Sequence, residues 1–103
     1  MIKVSVFYPR TEGAGFDMDY YVTKHMPMVA DLCGSAVKNW SVDSGLAGGA
    51  PGQPPAYVCV GNILFNSLDE FQTAFGPHAG QIMGDIPNYT TISPIVQISD
   101  VVA

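Results

Sequence analysis

The feature that most constrains the fold is the order in which strand and helix patterns follow one another along the chain. Strand-like apolar patterns occupy four segments, which lie at residues 2–8, 36–46, 57–65 and 91–101. Helix-like spacing occupies residues 17–33 and 67–82, between the first two strands and between the last two. The order β-α-β-β-α-β predicts a ferredoxin-like α+β fold, with a four-stranded antiparallel sheet and two helices on one face. The 103 residues suffice for one such domain, spanning residues 1–103.

The strand segments predict different places in the sheet. In the first strand, Ile2, Val4 and Val6 share one face. The segment 57–65 is apolar almost throughout, which is typical of a central strand covered on both faces. Pro94 cannot donate a hydrogen bond to a neighbouring strand, so it marks an edge position or a bulge. The sheet face away from the helices is expected to carry Phe7, Tyr57, Cys59, Ile63 and Ile95 with Ser5 and Gln97.

Composition indicates that a partner covers this second face. Hydrophobic residues make up 48% of the chain and charged residues 13%, which argues against disorder. An apolar sheet face would not be stable if it were left in contact with water. Two copies could pair sheet to sheet, or they could dimerise through helices. The Gly- and Pro-rich segment 47–55 predicts a long loop, of the kind that serves as a binding lid or an oligomer arm. Cys33 and Cys59 are expected to be reduced core thiols, with a disulfide as the alternative.

Charge and hydropathy exclude several partners. The formal net charge is -5, and the four basic residues are scattered, which argues against nucleic acid and against an anionic membrane surface. No apolar run approaches the roughly 20 residues of a transmembrane helix, and no signal-peptide pattern opens the chain. These features predict a cytoplasmic protein.

The first helix carries a histidine on its apolar face. Asp17 is the expected N-cap and Gly34 the expected stop. On a helical wheel His25 falls among apolar side chains, namely Met18, Tyr21, Val22, Met28, Val29 and Leu32. Pro27 lacks a backbone donor, so the helix is expected to kink near residues 24–26. His25 is then either a structural histidine, bonded to a freed carbonyl or to Tyr20, or a pocket residue that acts as a general acid or base.

The second helix repeats this arrangement. Residues 67–70 form a capping box, Gly76-Pro77 is expected to break the helix, and residues 83–88 are expected to form a loop. His78 shares the apolar face and faces either a ligand or the surface. Asp85 either orients a histidine or is a solvated loop acid. With Asn88 and Tyr89 it could close a pocket entrance.

Several of these motifs together resemble the EthD family of dimeric α+β barrel proteins. The resemblance rests on Phe16…Tyr20-Tyr21…His25-Met26-Pro27, on Phe71…Phe75-Gly76-Pro77-His78, on residues 82–89 and on Gly45-Leu46-Ala47-Gly48-Gly49. It implies a homodimer whose sheets pack together, with a pocket between sheet and helices in each subunit. The resemblance also implies a role alongside cytochrome-type monooxygenase systems that degrade a fuel ether, or in pathways that make aromatic polyketides. Related barrel families include monooxygenases, isomerases and haem-binding proteins, so the fold constrains shape better than chemistry.

The candidate site combines both histidines with nearby aromatic residues. His25, Tyr21 and Tyr20 are the candidate catalytic residues, and His78, Asp85, Tyr89, Trp40 and Tyr57 are the candidate ligand-binding residues. The expected ligand is a small apolar compound, aromatic, cyclic or ether-type, which the protein either transforms or delivers to an oxygenase partner. No metal or cofactor is predicted, because no HxH, HExxH or GxGxxG spacing occurs. A bound haem is suggested only by analogy with other proteins of this fold.

Overall fold

In the computed structural model, which describes all 103 residues, four antiparallel strands form one sheet. The strands are β1 (Ile2–Pro9), β2 (Asn39–Ser44), β3 (Tyr57–Phe65) and β4 (Ile95–Asp100). Their order across the sheet is β2-β3-β1-β4. This order confirms the ferredoxin-like α+β fold, with β3 in the interior of the sheet and β4 at an edge, as Pro94 indicates.

Two helical segments pack on one face of the sheet. The first, α1, spans residues 18–33, and the second is divided into α2 (Leu68–Phe75) and α3 (Ala79–Gly84) by the short helical turn Gly76–His78. Both predicted caps are present: the side chains of Asp17 and Ser67 each accept a backbone N–H three residues on, at 3.1 Å. None of these helices has the length and hydrophobicity needed to cross a bilayer.

The kink predicted before Pro27 is a π-helical turn. Within α1, the turn Tyr21–His25 lies between the α-helical parts Met18–Tyr20 and Met26–Cys33, and the N–H of Met26 donates to the carbonyl of Tyr21. One extra residue in this turn rotates the side chains relative to a regular wheel. His25 is consequently buried, whereas Val22 is 38% exposed, so the wheel prediction was wrong for Val22.

Three predicted segments had wrong bounds. Strand β2 is shorter than the predicted residues 36–46: residues 34–36 form a 3-10 turn before it, and it ends at Ser44. Residues 83–88 are not a loop: they contain the end of α3 and the 3-10 turn Ile86–Asn88. Residues 91–94 do not extend β4, because Thr90 ties this segment to the loop before α1. Its Oγ1 donates to the carbonyl of Gly15 at 2.7 Å and accepts the N–H of Ile92.

The pairing of β1 with β3 decides which side chains face the helices. Tyr8 pairs with Cys59, and Val4 pairs with Ile63. Cys59 and Ile63 therefore lie on the helix side, and the expectation that they lie on the other face was wrong. A strand that is apolar throughout has no alternation to assign its faces, so only its register does so. Both cysteines are buried and unpaired.

The sheet face without helices is nevertheless apolar in part. We call it the open face. The rings of Phe7 and Tyr57 pack there, with centroids 5.0 Å apart, and Val60 and Ile95 lie beside Phe7 in the neighbouring strands. Ser5 and Gln97 supply polar groups, as predicted.

Candidate functional site

A cavity of about 310 Å³ lies between the sheet and the helices. Its wall consists of Val4, Val6, Tyr8, His25, Met26, Val29, Ile63, Phe65, Phe71, Phe75, Ile82, Met83, Ile86, Pro94 and Val96. Only Tyr8 and His25 among these bear a nitrogen or oxygen in the side chain. The volume is at the lower end of the range for small-molecule sites, about 300–1,000 Å³.

His25 is held at this wall by a carboxylate from a distant part of the chain. Its Nδ1 lies 2.9 Å from Oδ2 of Asp85, which follows α3, and both side chains are largely buried. A carboxylate accepts, so Nδ1 carries a proton and Nε2 is the basic nitrogen of the neutral ring. Asp85 thus fixes both the orientation and the tautomer of His25.

Two further donors hold the carboxylate of Asp85. The Tyr20 hydroxyl donates to Oδ1 at 2.7 Å, and the Asn88 side-chain amide donates to the same oxygen at 2.9 Å. Desolvation raises the pKa of Asp85, but hydrogen bonds from Asn88, His25 and Tyr20 outweigh it and leave the pKa below its ordinary value. The hydrogen bond to Asp85 in turn raises the pKa of Tyr20. Asp85 is therefore ionised at neutral pH.

Two tyrosines continue the network from the other side of His25. The Tyr89 hydroxyl lies 3.5 Å from Nε2 of His25, and the Tyr8 hydroxyl lies 2.7 Å from that of Tyr89. Both tyrosines are almost fully buried. Burial is the largest cause that raises the pKa of Tyr8 and of Tyr89, so both remain protonated at neutral pH.

The Tyr21 ring fixes the plane of the imidazole. It stacks on His25 with ring centroids 5.3 Å apart and an interplanar angle of 13°. The Tyr21 hydroxyl reaches the sheet at Gly61, where a Cβ atom would overlap it. Burial raises the pKa of Tyr21. A glycine in β3 thus provides the space in which Tyr21 supports His25.

The structure brings five of the predicted site residues together and separates three. His25, Tyr20, Tyr21, Asp85 and Tyr89 share one network of contacts. His78 is half-buried in the turn after α2 and lies outside the cavity wall, Trp40 lies on the edge strand β2, and Tyr57 lies on the open face. The roles assigned to these residues remain predictions.

The arrangement does not suit haem or a bound metal ion. Nδ1 of His25 binds Asp85, its Nε2 faces the Tyr89 hydroxyl, and His78 does not line the cavity. Neither histidine therefore offers a nitrogen to an axial position inside the cavity. No three His, Cys, Asp or Glu side chains are grouped closely enough to share a metal ion.

Sequence reasoning missed Tyr8. This residue continues, with a period of two, the face of β1 that Ile2, Val4 and Val6 define, so the alternation was the signal that could have indicated its direction. Only the register and the position of Tyr89 show that its hydroxyl joins the network.

Comparisons with known proteins agree on the family and the fold. The family model described as the EthD domain matches residues 15–93. The structure of an EthD-like protein from Ralstonia eutropha is 50% identical, with a TM-score of 0.94, and the match covers 99% of this chain and 92% of that one. An ethyl tert-butyl ether d (EthD) family protein from Bacillus halodurans is 16% identical, with a TM-score of 0.66 and 98% coverage of both chains.

A third structure shares the fold alone. A dimeric ferredoxin-like protein of unknown function from Thermobifida fusca is 14% identical, with a TM-score of 0.65, and the match covers 97% of this chain and 90% of that one. No functionally curated protein matches the chain.

Proposed function

This chain belongs to the EthD family, and we propose that it binds a small apolar compound in the cavity beside His25, which acts on that compound as a general acid or base. The compound is aromatic, cyclic or ether-type and belongs to an oxidative degradation or biosynthetic pathway. The observation that carries the proposal is a single imidazole, oriented by a carboxylate, at the wall of an otherwise apolar cavity.

The cavity suits an apolar ligand of one or two rings. Its volume of about 310 Å³ is about twice that of the ~150 Å³ engineered cavity that binds benzene. Transfer of an apolar molecule from water to such a wall gains about 25 cal/mol for each Å² of apolar surface buried. A ligand that is charged or polar over most of its surface would lose its hydration and find partners only at Tyr8 and His25.

The Asp85–His25 pair supports acid–base chemistry. Asp85 fixes Nε2 as the proton-accepting atom and would stabilise the imidazolium that forms when Nε2 takes up a proton. An imidazole in this state can remove a proton next to a carbonyl group or from a phenol, and can return it.

A non-catalytic role is the second candidate. The cavity wall exposes almost no polar atoms, and both ring nitrogens of His25 face protein groups. These features favour a module that holds an apolar metabolite and delivers it to an oxygenase partner.

We also propose a homodimer. Edge strand β4 exposes apolar side chains on both faces: Ile95 is 54%, Val96 51% and Ile98 42% exposed. An exposed apolar edge strand has unpaired backbone groups that can pair with a second chain. Val96 also borders the cavity, so a second copy against β4 would help to close it. Light scattering at micromolar concentration is expected to give twice the mass of one chain, and a monomer would refute the dimer.

Calorimetric titration with toluene and naphthalene tests ligand binding. Val29→Phe places a larger side chain in the cavity from α1, whereas Val22→Phe places the same side chain at an exposed position of the same helix. We expect the wild-type protein to bind, Val29→Phe to weaken binding at least tenfold, and Val22→Phe to have no effect. If the wild-type protein binds neither compound, or if both variants bind as it does, the cavity is not the binding site.

Proton exchange separates the enzyme from the delivery module. A cyclic ketone such as 2-indanone exchanges its acidic C–H protons in heavy water, and NMR measures the rate. A general base contributes about 10²–10⁴-fold. We expect the wild-type protein to accelerate exchange by at least about 100-fold, and His25→Phe to abolish this. Binding without acceleration would favour the delivery module.

A further inference from the structure

We propose that the Tyr8 hydroxyl is the group that exchanges a proton with the bound ligand, and that Tyr89 carries the proton between Tyr8 and Nε2 of His25. This role requires a ligand in the cavity and therefore rests on the proposed function. It assigns Tyr8 as a catalytic residue and Tyr89 as the link that connects it to the base.

His25 has no ring nitrogen directed freely at the ligand. Nδ1 is bonded to Asp85, and Nε2 faces the Tyr89 hydroxyl at 3.5 Å. Tyr89 is deeply buried, with 4% of its surface exposed, but it is not part of the cavity wall. A proton that leaves or reaches Nε2 along this contact must pass through the oxygen of Tyr89.

Tyr8 connects Tyr89 to the cavity. It lies on the helix side of β1, lines the cavity and is 1% exposed to solvent. Its hydroxyl lies 2.7 Å from that of Tyr89, a short distance for two hydroxyl groups. The 3.5 Å contact at Nε2 is long, but catalytic hydrogen bonds are often long without substrate and shorten in the complex.

The relay conserves protons at each step. When the ligand is a phenol or a ketone with acidic C–H bonds, its O–H or C–H bond breaks and the proton joins the Tyr8 oxygen. The proton that Tyr8 held moves to the Tyr89 oxygen, and the proton of Tyr89 forms a new N–H bond at Nε2 of His25. The ligand becomes an anion, and His25 becomes an imidazolium paired with the Asp85 carboxylate. The same steps in reverse return the proton to the ligand.

The electrostatics of the tyrosines suit a relay. Burial raises the pKa of both Tyr8 and Tyr89, so neither is stable as a phenolate and each passes on one proton as it receives another. The contacts of the two hydroxyl groups lead to one basic atom, Nε2 of His25, which is therefore the proton acceptor at the end of the network.

A relay sets the rate at which the ligand exchanges its proton and not the proton equilibrium between the ligand and His25, so the experiment measures a rate. The probe is 2-indanone, whose acidic C–H protons exchange in heavy water, and NMR follows the exchange. With the ketone at saturation, a change in affinity does not alter the rate. We expect the wild-type protein to accelerate this exchange by at least about 100-fold.

Two variants interrupt the relay at different points. Tyr8→Phe and Tyr89→Phe each remove one hydroxyl, and we expect each to lower the exchange rate of saturating 2-indanone at least tenfold. Thr73→Val removes an exposed hydroxyl from α2, far from any assigned role, and as the control it should behave as the wild-type protein does. Circular dichroism confirms folding, and either relay variant alone decides the result if the other does not fold.

The outcomes separate the relay from the proposed function. If toluene binds and the wild-type protein accelerates exchange, but the variants do so equally, the relay is wrong and His25 contacts the ligand directly. If toluene binds and the wild-type protein does not accelerate exchange, the relay is also wrong. If neither toluene nor 2-indanone binds, the proposed function itself fails.

Discussion

The two histidines have similar sequence surroundings but different structural ones. Each lies on an apolar helix face close to a proline, two residues before Pro27 or immediately after Pro77. His25 is buried, stacked on Tyr21 and bonded to Asp85. His78 is half-buried in a 3-10 turn, and its side chain makes no hydrogen bond to the protein.

The difference lies in what other segments bring to each ring. Around His25, the π-helical turn directs the ring inward, the segment after α3 contributes Asp85 and Tyr89, and β3 leaves space at Gly61. Around His78, the break in the helix leaves the ring half-buried and outside the cavity wall. An apolar helix face does not identify a functional histidine by itself; a buried carboxylate that fixes the tautomer is a stronger indication.

Removing each ring tests this comparison with the largest expected effect. His25→Ala leaves a cavity and deprives Asp85 and Tyr89 of a partner, so we expect a loss of about 2–4 kcal/mol in the free energy of unfolding. His78→Ala should cost less than about 0.5 kcal/mol, as is usual for a partly exposed residue without partners. Urea denaturation measures both. Equal losses would show that the two histidines are structurally equivalent.

The contact between the Tyr21 ring and the sheet at Gly61 supports His25, and disrupting it is expected to have the next largest effect. Gly61→Ala places a methyl group against the Tyr21 hydroxyl and should displace the ring that stacks on His25, at a cost of about 1–3 kcal/mol. Gly80→Ala in α3 meets no atom within 4 Å and should leave stability unchanged or raise it by a few tenths of a kcal/mol. Thermal denaturation compares the two. A harmless Gly61→Ala would mean that Tyr21 can move without effect on His25.

The local features of this site were predictable from the sequence, and its long-range contacts were not. The caps at Asp17 and Ser67 and the break before Pro27 depend on neighbouring residues, and the structure confirms them. The link between His25 and Asp85 spans 60 residues and requires the fold. The faces of β3 depend on its register with β1, because its own residues do not alternate.

The charge of Asp85 is expected to make a moderate and pH-dependent contribution to the free energy of unfolding. Asp85→Asn removes the charge opposite His25 and should cost about 1–2 kcal/mol at neutral pH. The pKa of Asp85 is lower in the folded state than its ordinary value of 3.8. Its contribution is therefore fully present above that value and is lost as the pH falls through the lower folded pKa.

Denaturation of the wild-type protein and Asp85→Asn between neutral pH and strongly acidic pH measures this dependence. The difference in stability that comes from the Asp85 charge should shrink as the pH falls below about 4. Asp69→Asn, at the exposed start of α2, is the control. A difference that does not change with pH would show that Asp85 acts through its shape and not through its charge.

The smallest expected effect is that of a single donor to Asp85. Tyr20→Phe removes the hydroxyl bonded to Oδ1 but leaves the hydrogen bonds of His25 and Asn88, so the loss of stability should be smaller than for Asp85→Asn. The hydrogen bond to Asp85 raises the pKa of Tyr20. Its contribution is therefore present below the ordinary tyrosine pKa of about 10 and is lost as the pH rises through the higher folded value.

The urea midpoints of Tyr20→Phe and the wild-type protein should accordingly converge at strongly alkaline pH. Tyr57→Phe changes a tyrosine whose hydroxyl has no hydrogen-bond partner in the protein, so it corrects for the general effect of a lost hydroxyl. If Tyr20→Phe lowers the stability as much as Asp85→Asn does, then Tyr20, and not His25, is the principal partner of the Asp85 carboxylate. His25 would then differ from His78 mainly in its burial.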